Sequence, residues 1–168
     1  MSKRFRQYFG LVSAILAYYL IHEGAHFIYA LSIGVFKQIN FLGLGVQIDV
    51  YAERMTPEQM GLFCVAGSVA TMIVVYVLVA LIARIGKSSS KVFKACMYYI
   101  TIALLLLDPL YLSVLCGFFG GGDMNGIALL FPETIARVGY GILLVVNVII
   151  FFKIVLPKYK QAFASEEA

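Results

Sequence analysis

The chain has 168 residues, of which 62% are hydrophobic and 13% charged, with a mean hydropathy of +0.93. A soluble domain is about 45–50% apolar and about 25% charged, and a globule this small cannot bury such an excess. Disorder and a soluble globule are thereby excluded, and the net charge of +4 calls for anionic lipid rather than nucleic acid.

The first apolar run covers about residues 9–35. It is long enough to span a bilayer, which takes about 20 residues. Inside it stands His22-Glu23-Gly24-Ala25-His26, which contains both histidines of the chain. On a helix this spacing puts the two imidazoles one turn apart on one face, where both can reach a single zinc ion. Glu23 lies near enough to take a proton from a water on that ion. Ionisable groups within a span are costly and mark function, and no solvated face exists here to excuse them.

Gly43-Leu44-Gly45 follows, then Val46-Gln47-Ile48-Asp49-Val50-Tyr51, in which apolar and polar residues alternate. That period predicts a strand with one covered face, part of a small hairpin. A second apolar run, about 61–85, begins near Val65-Ala66-Gly67-Ser68-Val69-Ala70-Thr71, and a third covers about 95–119. The third contains Asp108-Pro109 and is followed by Gly120-Gly121-Gly122-Asp123-Met124-Asn125-Gly126. A fourth run covers about 135–156, where Gly139, Gly141 and Asn147 suit a helix contact. The expected architecture is an all-α polytopic membrane protein forming one domain. It has about four transmembrane helices, with the membrane-associated β-hairpin between the first two.

Hydrolytic zinc usually takes three protein ligands, so a third must join His22 and His26. At about 1.5 Å per residue, His22 sits in the half of the membrane nearer the first loop. The third helix runs in the same direction, so Asp123 emerges on that side, where the glycines let the chain fold back. Asp123 is the preferred ligand, with Asp108 as a supporting group or alternative. Cys64, Cys96 and Cys116 have no metal or redox spacing and read as small buried hydrophobes.

Basic residues concentrate at the N-terminus, between helices two and three, and at the C-terminal end. Only Lys37, Arg54 and Arg137 fall on the opposite face. By the positive-inside rule both termini are expected in the cytoplasm.

These motifs resemble the site-2 protease family of intramembrane zinc metalloproteases, over roughly residues 11–127. The His22–His26 pentad matches that family in full. Asp123 and Gly126 are similar to its aspartate motif, without the usual preceding asparagine and proline spacing. Val65–Thr71 looks like its small-residue motif, with Ser68 and Thr71 where proline and asparagine usually stand. The resemblance implies a short member without a PDZ domain, in a prokaryotic cell membrane. It would be a zinc endopeptidase cleaving transmembrane or signal-like peptides in regulated intramembrane proteolysis. Glu23 would be catalytic, His22, His26 and Asp123 would hold Zn2+, and Asn125, Thr71 and Ser68 are candidates for a secondary polar role. The Gly43-Leu44-Gly45 stretch would contribute a substrate-binding strand. The charge distribution puts the first loop outside the cytoplasm, opposite to the active-site side of familiar bacterial members. Two other readings are a non-catalytic membrane adaptor that binds peptides and a small ion- or proton-coupled transporter.

Overall fold

The computed structural model describes residues 2–43, 45–118 and 122–164. Helix α1 (Lys3–Ser32) leads into a hairpin of β1 (Phe36–Leu42) and β2 (Gly45–Val50). After a short 3-10 turn come α2 (Pro57–Gly86) and α3 (Lys91–Leu110), which continues through a π turn at Tyr111–Leu115. The short α4 (Asp123–Ile127) follows, and then α5 (Glu133–Ile150), which passes through a second π turn into α6 (Leu156–Ala164). Among the described residues four helical stretches are long and apolar enough to cross a membrane: Lys3–Ser32, Pro57–Gly86, Lys91–Leu115 and Glu133–Ala164.

Local chemistry accounts for the boundaries. Ser2 caps α1 by accepting from the Phe5 amide, so the helix starts at Lys3, ahead of the apolar run. Thr56 and Gln59 form a reciprocal capping box at α2, with Pro57 in its first turn. Gly34, at φ 71°, turns the chain out of α1 into the hairpin. The Gly43-Leu44-Gly45 stretch differs from its expected role. Gly43, at φ 63°, belongs to the hairpin turn, Leu44 lies outside the described residues, and Gly45 opens β2. A left-handed turn residue cannot serve an extended edge, so the strand proper begins at Gly45.

Along α1 every fourth position faces the bundle: Gly10, Ala14, His22, His26 and Ala30 are buried, and Tyr18 is half-buried. Two apolar clusters bracket the imidazoles. One, with Ala30, Ile48, Phe63 and Met124, lies toward the hairpin; the other, with Val75, Ile82, Leu105 and Val155, lies toward the far end. Elsewhere α1 and α5 present apolar side chains outward, among them Leu16, Leu20, Ile142 and Val145.

Pro109 lacks the N–H that would bond the Leu105 carbonyl four residues back. Asn147 supplies the missing donor, its Nδ2 lying 2.7 Å from that oxygen, while its Oδ1 accepts from Tyr76 Oη at 2.9 Å. Asn147 is the one buried residue of α5. It thus serves a contact inside the bundle rather than a contact with a second protein. Of the α5 glycines, Gly139 faces open space, and a Cβ added at Gly141 would meet only Ser113, at 3.8 Å.

Candidate metal centre

His22 and His26 bring their Nε2 atoms within 3.1 Å of one another. The carboxylate of Asp123 closes a triangle, its Oδ2 lying 3.1 Å from His22 Nε2 and 3.5 Å from His26 Nε2. Donors about 2.0–2.1 Å from a tetrahedral zinc stand about 3.3 Å apart, so this triangle has the dimensions of three zinc ligands.

The far side of each ring fixes what the near side offers. His26 Nδ1 lies 2.8 Å from the Phe63 carbonyl, which can only accept, so Nδ1 carries the proton. His22 Nδ1 lies 3.2 Å from Asp108 Oδ1, and the same carboxylate accepts from Tyr18 Oη and Thr71 Oγ1. A carboxylate receiving those donors is ionised, so His22 Nδ1 is also the protonated nitrogen. With both Nδ1 atoms so committed, Nε2 is the nitrogen of each ring left to hold a metal, and the two face each other and the Asp123 carboxylate. Three ligand atoms at this spacing converge on one sheltered point that a cation can occupy. The site fits a divalent metal on these grounds, and its hard–borderline N2O donor set suits zinc.

Gly67 of α2 makes the space. A Cβ there would stand 2.6 Å from His26 Nε2 and 2.7 Å from His22 Nε2. Asp123 is delivered by α4, whose Gly126 lies against Cys64 so closely that a Cβ would collide with the sulfur. Gly122, at φ 47°, turns the chain into that helix; Gly120 and Gly121 lie outside the described residues.

Glu23 is half-buried and belongs to the same cluster, with a carboxylate oxygen within 4.8 Å of the histidine ligand atoms. Its Oε2 accepts from the Ile48 amide of β2 at 3.1 Å. The cluster opens onto a cavity of about 340 Å³ whose wall includes Tyr19, Val46, Ile48 and Tyr111. No lysine or arginine is among its described lining residues.

The remaining candidates are dispersed. Ser68 shares a hydrogen bond with Tyr140 Oη at 2.7 Å, tying α2 to α5. Thr71 is committed to Asp108, and Asn125 is exposed on α4. Asp108 sits behind His22 at the nitrogen opposite the triangle.

Sequence reasoning did not single out Tyr18, the Phe63 carbonyl or the Ile48 amide. Tyr18 had a signal, since it lies four residues before His22 and its ring stacks on the imidazole at 5.2 Å. Comparison with protein-family models, curated proteins and solved structures found no match.

Proposed function

We propose that the chain is a multi-pass membrane protein and a zinc-dependent intramembrane endopeptidase. The observation that carries this reading is the His22–His26–Asp123 triangle, with both histidine Nδ1 protons committed away from it. A zinc ion held by His22, His26 and Asp123 would supply a Lewis acid and would lower the pKa of a bound water to about 7.

The chain's own groups do the rest. Glu23, steadied by the Ile48 amide, takes the proton of the attacking water and returns it to the leaving amine. Asp108 keeps His22 in the metal-binding tautomer, with Tyr18 and Thr71 holding the carboxylate in turn.

The hairpin favours an extended substrate. Ile48 pairs with Ile39 but turns its N–H outward to Glu23, so the edge of β2 away from β1 faces the cavity. Val46, two residues earlier, has the same outward orientation. A locally unwound transmembrane or signal-like peptide can pair along that edge by main-chain bonds, beside Glu23.

The test is zinc content and cleavage of a transmembrane reporter by wild type, Glu23→Gln, Asp123→Asn and Asp108→Asn. Glu23→Gln is expected to keep its metal and lose at least about 10²-fold in turnover, in line with removal of a general base. Undiminished cleavage by that variant overturns the mechanism. No cleavage by wild type with zinc bound favours the adaptor reading. Asp123→Asn is expected to lose zinc, and Asp108→Asn to weaken it by about 10–100-fold. Loss of zinc in Asp108→Asn with full retention in Asp123→Asn would exchange their roles.

A further inference from the structure

At the end of the bundle away from the hairpin lies a second cavity, of about 420 Å³. Its volume falls in the range of small-molecule sites, about 300–1,000 Å³. Lys3, Arg6, Lys91 and Lys160 line it, and no acidic residue is among its described lining residues. The cations come from three elements, α1, α3 and α6, so their convergence is a product of the fold.

One further feature favours an anion. Lys3 and Lys91 are the first residues of α1 and α3, so the positive ends of two long helices meet there, with no acid in either first turn. The wall is aromatic and firmly set. Gly10 lets Tyr99 press against α1, since a Cβ there would stand 2.5 Å from the Tyr99 ring. Lys94 is buried beside the cavity and donates to the Ala162 carbonyl at 2.9 Å, which pins α6 to the start of α3.

We propose that this cavity binds the phosphate group of an anionic lipid. It lies where the basic ends of the candidate spans meet, at the depth of the headgroups if those helices cross a bilayer. Phe5, Tyr8 and Phe9, on the same first turns of α1, are exposed and offer acyl chains an apolar surface beside it. A zwitterionic headgroup would add an ammonium group to a site already rich in cations. The anionic diester complements Lys3 and Lys160 without that added ammonium.

The inference rests on the membrane reading above, which recovery of the chain in carbonate-washed membranes tests separately. The full chain, delipidated in neutral detergent, is titrated with phosphatidylglycerol, phosphatidylcholine or inorganic phosphate and followed by native mass spectrometry. Phosphatidylglycerol is expected to form a saturable one-to-one adduct, at least tenfold tighter than phosphatidylcholine. Arg6 and Lys91 make other interactions as well, so the test turns on Lys3 and Lys160. Lys3→Gln with Lys160→Gln is expected to weaken the adduct at least tenfold, while Lys87→Gln with Lys158→Gln, outside the cavity lining, leaves it unchanged. Ala95→Leu fills the cavity without altering charge, and is expected to weaken the adduct as well. Equal binding of the two lipids, or equal loss in both lysine pairs, overturns the proposal. Binding of inorganic phosphate without phosphatidylglycerol overturns the lipid assignment.

Discussion

At the residue scale, Gly67 carries the strictest steric requirement of the proposed metal centre. Neither imidazole can retreat from an added methyl group, because Asp108 holds one ring from behind and the Phe63 carbonyl holds the other. Gly67→Ala is therefore expected to weaken zinc binding by at least about tenfold, the lower end of the effect of disturbing ligand orientation. Gly139→Ala, facing open space on α5, is the control and should keep its zinc. Metal analysis of the two purified variants makes the comparison; equal zinc content would show that the rings yield. The three groups of the candidate triangle were named from the sequence. Spacing paired His22 with His26, and the side on which the third helix emerges, with the glycines before Asp123, favoured Asp123, while depth did not exclude Asp108. The supporting shell was less legible there, because the Phe63 carbonyl and the Ile48 amide are main-chain groups that every residue possesses. Only the three-dimensional path of the chain selects them.

At the scale of elements, β2 links the proposed general base to the proposed substrate edge. Ile48→Pro removes the N–H that Glu23 accepts from, at an edge position where proline is tolerated. Zinc content should be retained, while turnover falls by about 10²-fold, the effect of misplacing a reacting group by about 1 Å. Ile48→Val keeps the amide and should stay near wild type; kinetics of the two variants on one reporter separate the amide from the side chain. The hairpin was visible in the alternation of residues 46–51, but the turn and the strand were not distinguished. Glycine permits both a left-handed turn and a close backbone approach, so its letter alone did not decide between them. The two π turns had no comparable signal beyond Pro109, two residues before the first.

At the scale of the whole molecule, ten of the 13 lysines and arginines are assigned by the topology to one end, and the candidate metal centre lies toward the other. If the helices span a membrane, reporters fused after Ser88 and after Ala164 should both read as cytoplasmic, and one in the β1–β2 turn as external. The opposite pattern would bring the metal centre to the cytoplasmic side and contradict the charge rule for this chain. Helices in hydrocarbon gain little from hiding apolar surface against one another, so their mutual positions must be encoded otherwise. The Leu105 carbonyl left open by Pro109 performs that service for α5, whose sole buried residue answers it. Asn147→Leu should destabilise the bundle by about 1–3 kcal/mol through the orphaned carbonyl. In a Pro109→Ala background the restored N–H at position 109 should relieve part of that loss. A double-mutant cycle in detergent unfolding should thus give a coupling of about 0.5–3 kcal/mol, and strict additivity would refute the link. The proline beside Asp108 then acts as an address: by withholding one hydrogen atom it specifies which helix docks there and in which register. A slip of α5 by a single turn, about 5.4 Å, would leave the message unread.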